Sequence, residues 1–234
     1  MDMISNTNRI NIVGANNLTI TIKDFWSAVT HGIGALSAFV TLPFLLNHYV
    51  ERGADFIAVI SVLVFGVSMI LLYSASTIYH TVITGREVEL VLKRLDHMMI
   101  FVLIAGSYTP ICLTVLRDSC GIPLLIGVWS FALIGMLFKF FWVTCPKWIS
   151  STIYIGMGWL CVFAFPQIWA SVSLGGFMLL LVGGIIYTVG GVVYALKLPI
   201  FNNRHRYFGS HEVFHIFVML GNLFHFMFMY FCLV

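Results

Sequence analysis

Charge is scarce in this chain. Only 9% of its 234 residues are Asp, Glu, Lys or Arg, against roughly 25% in an ordinary soluble domain. With 60% hydrophobic residues and a mean hydropathy of +1.00, that shortage excludes a water-soluble globular protein and leaves an integral membrane protein. Cysteine is sparse as well. Cys112, Cys120, Cys145, Cys161 and Cys232 are odd in number and show no C-x-x-C spacing, so neither a disulfide framework nor a thiolate metal site is indicated, and they read as apolar filler. The net charge is only +3, and no basic stretch alternates with aromatics, so the sequence carries no nucleic-acid footprint. Residues 1–24 lack the basic-then-apolar order of a cleavable signal peptide. They read as a polar N-terminal tail ahead of a membrane domain, residues 25–234.

What is present is a series of charge-free runs. A helix needs about 20 apolar residues to cross the hydrocarbon. No Asp, Glu, Lys or Arg occurs between Asp24 and Glu51, from Phe56 to Gly85, from His97 to Leu116, from Ser119 to Phe138, or from Val213 onward. The run from Trp148 to Leu196 has 49 residues, which suits two helices with a turn near Ser171 to Gly176. The expectation is an all-α, seven-transmembrane helix bundle, with Pro110 and Pro166 kinking their spans. Positive charge sets the orientation. The tail and even-numbered loops hold Arg9, Lys23, Arg86, Lys93, Arg94, Lys139, Lys147, Lys197, Arg204 and Arg206, while the odd-numbered loops hold only Arg52 and Arg117. The N-terminus is therefore expected in the cytoplasm and the C-terminus outside.

That orientation gathers the ionisable residues of the spans. His80 ends span two, Asp96 begins span three, and His211 and His215 begin span seven. At 1.5 Å of rise per residue, all four fall within about 2 to 14 Å of the cytoplasmic edge. His31, early in span one, has similar depth. Ser76 stands one turn before His80, on the same helix face. His211, Glu212 and His215 also spell H-E-x-x-H, the string of zinc proteases. With eight His in the chain, about 0.3 such His pairs are expected by chance, so the string alone carries little. Three neutral imidazoles from two helices carry more, because they leave a tetrahedral Zn2+ one open position, as catalytic zinc requires. Asp96 would then hold and polarise a water, with Ser76 orienting the water or a substrate carbonyl. The bland readings are interhelical polar contacts for His31, His97 and His225, and an interfacial acid for Asp96.

The motifs "THGIGA" (Thr30 to Ala35), "SASTIYH" ending at His80, "LDHMMIFVLIAGSYTP" (Leu95 to Pro110) and "HEVFHIFVMLGNLFHF" (His211 to Phe226) together resemble the bacterial hemolysin III family, related to the progestin and adiponectin receptors of eukaryotes. The resemblance spans the chain from the first span to the last. It implies a seven-helix bundle in the bacterial plasma membrane, with zinc near the cytoplasmic side held by His80, His211 and His215, and with Asp96 and Ser76 as accompanying acid and hydroxyl. It gives Glu212 no catalytic role. Kinship to ceramidase-like membrane hydrolases makes amide or ester bonds of lipids the implied substrate class.

Three function classes follow. The first is a zinc-dependent lipid amidase or esterase acting in membrane lipid homeostasis. The second is a non-enzymatic membrane sensor in which zinc ties spans two and seven together. The third is a cytolysin, which the family name implies but which no amphipathic pore-forming segment supports.

Overall fold

A computed structural model of the chain describes residues 10–13, 19–197 and 208–233. Arg9, Arg204 and Arg206, which entered the charge count, lie outside the described residues. The helices are α1 (Phe25–Glu51), α2 (Phe56–Thr81), α3 (Arg86–Leu113), α4 (Gly121–Phe141), α5 (Lys147–Gly158), α6 (Phe165–Ser171), α7 (Leu174–Leu196) and α8 (Ser210–Cys232). A 3-10 stretch, Trp159–Ala164, joins α5 to α6. Among the described residues, six spans are long and apolar enough to cross a membrane, the fourth of them being the composite Lys147–Ser171. The remaining helix, α3, was also counted as a span in the sequence. Its first three turns carry Arg86, Glu87, Glu89, Lys93, Arg94 and Asp96, which separates it from the other six in composition.

Local chemistry explains the helix ends. The Asp55 carboxylate accepts from Ala58 N–H at 2.8 Å and starts α2, while Ser173 does the same for α7 through Gly176 N–H at 3.1 Å. Each satisfies a donor that the first turn leaves open. The turn expected near Ser171 to Gly176 is the Val172–Ser173 connection. Pro166 sits in the first turn of α6, where its missing N–H costs no ladder bond. The long span is broken at the preceding 3-10 stretch.

The Tyr108 hydroxyl of α3 bridges that break. It donates to the Gly158 carbonyl at 2.6 Å, with the Met157 carbonyl at 3.2 Å, and accepts from Cys161 N–H at 2.9 Å. Irregular backbone at membrane depth requires such protein partners, because no water replaces them.

In the ring of helices, α1 packs on α2, α2 on α3 and α3 on α4, while α5 packs on α7 and α7 on α8, which returns to α1. Close approach relies on small residues. At Gly135 of α4 a Cβ would lie 2.2 Å from the Phe101 ring of α3. The outer faces expose Phe39, Phe44, Ile134 and Phe141 among other large apolar side chains, as lipid contact requires.

Two local expectations change. Within the presumed tail, Ile10–Val13 and Thr19–Ile22 pair as an antiparallel ribbon, Ile10 opposite Ile22. Alternating Ile, Val, Thr and Asn residues suit a strand as well as a polar tail. Lys139, counted as a loop charge, is fully buried within α4.

Candidate metal centre

Three helices build the centre. α2 ends on His80, α8 begins with His211 and His215, and α1 lies against both through residues 24–31. One ring nitrogen from each of His80, His211 and His215 lies within 4.8 Å of the others. His80 and His215 are buried, and His211 is half-buried. The Nε2 atoms of His80 and His211 are 3.2 Å apart. Two nitrogens bound at about 2.0–2.1 Å on adjacent corners of a tetrahedron lie about 3.3 Å apart. The His80–His211 pair therefore has the spacing of two ligands on one tetrahedral cation, and His215 is close enough to supply a third.

Neighbouring groups fix the ring tautomers. His80 Nδ1 lies 3.1 Å from Asp24 Oδ2, so its Nδ1–H donates to the carboxylate and Nε2 keeps a free lone pair. The segment carrying Asp24 is pinned to the end of α2, since Asp24 N–H donates to the His80 carbonyl at 2.9 Å. The Thr30 hydroxyl donates to the Trp26 carbonyl at 2.9 Å. Its oxygen is therefore left to accept from His215 Nδ1–H at 3.2 Å, which again frees Nε2. His211 Nδ1 is buried without a hydrogen-bond partner among the described residues. Just outside the membrane span, Lys23 lies 3.4 Å from Glu89 Oε1, and burial holds its ammonium below the ordinary lysine range.

Asp96 is buried at the start of the apolar part of α3. Its Oδ2 is 3.4 Å from His97 Nδ1. That nitrogen lies closer to the Lys93 carbonyl, at 2.9 Å, so the carbonyl takes the ring proton and the carboxylate stays weakly engaged. Asp96, His31, His211 and His215 line one end of a cavity of about 160 Å³. The cavity continues past Ile104, Trp159, Phe165 and Leu180 to Ile168 and Phe177. Ser76, fully buried, has no hydrogen-bond partner for its Oγ among the described residues. It shares the α2 helix with His80, and neither residue lines the cavity.

Glu212 is committed elsewhere. Its Oε1 accepts from Ser27 Oγ at 2.7 Å and its Oε2 from Gly209 N–H at 2.8 Å. The acid of the H-E-x-x-H string thus caps α8 and ties it to α1. The sequence reading missed Asp24, Thr30 and Ser27. Their signal was position, since all three stand at the start of the first span, which packs against α8.

His31 stacks on His215 with ring centroids 3.6 Å apart, and neither of its nitrogens has a hydrogen-bond partner among the described residues. His225 donates from Nδ1 to the Gly221 carbonyl at 2.9 Å within its own helix.

The family model described as Haemolysin-III related matches residues 20–226. The hemolysin-3 homolog of Bacillus subtilis (strain 168) is 40% identical over 203 residues, covering 86% of this chain and 91% of that protein. The hemolysin-3 of Bacillus cereus is 38% identical over 213 residues, covering 91% of this chain and 90% of its own length. Six apolar helices of membrane length and these bacterial relatives make the protein a multi-pass integral protein of the bacterial plasma membrane. The chain belongs to the haemolysin-III related family.

Proposed function

We propose that this protein is a zinc-dependent hydrolase of amide or ester bonds in membrane lipids. The observation that carries the reading is the continuity between the histidine cluster and the apolar cavity: His211, His215 and Asp96 stand at one end of a channel of Leu, Ile, Phe and Trp side chains. Asp96 and Ile111, both on α3 and both lining the cavity, are separated by about 22 Å of helix. That length accommodates an acyl chain with its carbonyl at the polar end.

His80, His211 and His215 hold the ion through Nε2. When bound, zinc polarises a carbonyl oxygen and lowers the pKa of a water molecule. The remaining work falls to the chain. The Asp96 carboxylate receives a proton from the attacking water and passes it to the leaving nitrogen or oxygen. Ser76, buried one turn before His80 and outside the cavity lining, would act from behind the histidine cluster, orienting a water at the ion. The apolar channel orients the acyl chain and keeps bulk water from the scissile bond.

The reading includes seven membrane crossings, with α3 as the third, and a cytoplasmic N-terminus. Its support is the sequence bias of Lys and Arg toward one side, nine against two once the buried Lys139 is set aside. A reporter fused after Val234 is expected outside, and one within residues 198–207 in the cytoplasm; the reverse pattern overturns the orientation.

The enzymatic test uses purified protein in vesicles of phospholipid and N-acyl lipid, with free fatty acid measured by mass spectrometry. Release that stops with chelator and returns with zinc is expected. Stable lipids, together with a chelator-dependent fall in thermal stability, would instead make the metal a tie between α2 and α8. Dye leakage without lipid turnover would favour the lytic activity that the relatives' names carry.

A further inference from the structure

Away from the histidine cluster, α4 buries an ammonium that has no carboxylate partner among the described residues. Lys139 is 0% exposed. Its Nζ donates to Ser150 Oγ at 2.5 Å and to Cys145 Sγ at 3.1 Å, and Cys145 Sγ lies 3.2 Å from Ser150 Oγ. The nearest aromatic faces, Phe138 and Tyr154, are 5.8 and 5.9 Å away. A lysine buried this way is costly as a cation. As an amine it is a nucleophile held against a sulfur. Nothing in the proposed lipid chemistry uses this trio, and the spacing of the cysteines gave no hint of it.

We propose that Lys139 and Cys145 are a covalent modification site, in which a peroxide joins Sγ to Nζ as a sulfenamide. In the first step the thiol sulfur attacks hydrogen peroxide. The O–O bond breaks, Sγ gains OH, and one water leaves as peroxide is reduced by two electrons. In the second step the Nζ lone pair attacks Sγ, the S–O bond breaks, and the departing hydroxide leaves as water with a proton from the nitrogen. The product is an Sγ–Nζ(H)–Cε link, two hydrogens lighter than the starting pair, that two equivalents of a small thiol reopen. Sulfenic acids are known to condense with nitrogen in this way, and 3.1 Å of separation requires little movement.

Access and consequence both follow from position. Cys145 is buried but lies in the α4–α5 connection, between exposed Thr144 and exposed Pro146, one residue below the surface. Ser150 holds the amine in place and precedes Ser151, a cavity-lining residue of α5. Tyr154, one turn on, lines the same cavity and donates to the His97 carbonyl at 3.1 Å. The link therefore fixes the end of α4 to the start of the helix that walls the cavity beside Asp96.

The test is peptide mapping of the full-length protein after dilute hydrogen peroxide, with and without dithiothreitol. Trypsin cannot cut after a substituted Lys139. The expected product is one peptide from Asp118 to Lys147, about 2 Da lighter than its unlinked form, that dithiothreitol converts back to two. Cys145→Ser and Lys139→Arg should each abolish it, the arginine keeping the tryptic site while removing the amine nucleophile. If either variant fails to fold, the wild-type map with and without reductant still decides. Oxygen gained at Cys145 with Lys139 still cut overturns the proposal, as does no change at either residue.

Discussion

Asp24 Oδ2 lies 3.1 Å from His80 Nδ1 across 56 residues of sequence, so the residue just before the first span orients a side chain at the end of the second. A carboxylate behind a ligating imidazole fixes the tautomer and raises the basicity of the other nitrogen. Asp24→Ala is expected to weaken metal binding by about 10- to 100-fold, measured by competition with a fluorescent chelator. Unchanged affinity would show that the ring is oriented by packing alone.

The three histidines should act as one unit. Purified protein is expected to carry about one zinc, and His80→Ala, His211→Ala and His215→Ala should each remove it, since two imidazoles rarely hold the ion. Elemental analysis reads the result. Full occupancy in His80→Ala would eliminate the cross-helix site.

Asp96 and Glu212 separate by function. Asp96→Asn should keep zinc but lose lipid turnover by about 10²- to 10⁴-fold, because the amide keeps the shape without taking a proton. Glu212→Gln should keep turnover and lose about 1 kcal/mol of stability, as the cap at Gly209 N–H weakens. If the two phenotypes exchange, the protease-like reading of the H-E-x-x-H string returns.

A pH dependence is expected at the other end of the bundle. Asp55 pairs with Arg117, and the hydrogen bond from that guanidinium holds the Asp55 carboxyl below the usual carboxylate range. A depressed carboxyl contributes stability that is fully present above its unfolded value of about 4 and is lost as pH falls through the lower folded value. In detergent, melting temperature should therefore fall on acidification below about pH 4, and Asp55→Asn should flatten part of that fall. An identical acid limb in the variant would assign the effect to other carboxylates.

Much of this was legible in the sequence because membrane insertion imposes one-dimensional rules. Charge-free runs marked the helices, and the placement of His80, His211 and His215 near the ends of their runs anticipated the three histidines that the fold brings together. What stayed hidden depends on packing between distant segments. Nothing local distinguishes Asp24 from a boundary acid or Thr30 from a helix hydroxyl, because their partners lie 56 and 185 residues away. Lys139 misled for the opposite reason. A lysine near a helix end ordinarily reaches water, and only the fold reveals that the α4–α5 connection covers it.

The single hydroxyl of Tyr108 stands in for several missing rungs in the ladder of the Lys147–Ser171 span, at Met157, Gly158 and Cys161. Because 3-10 geometry is poorer than α geometry and no solvent competes at that depth, this stretch has no independent rest position. Trp159, Cys161 and Phe165, which it presents to the cavity, therefore keep their register to α3 rather than to their own helix. The bore of the channel is accordingly a property of two helices moving as one body, and removing a lone oxygen from α3 would let its far wall drift.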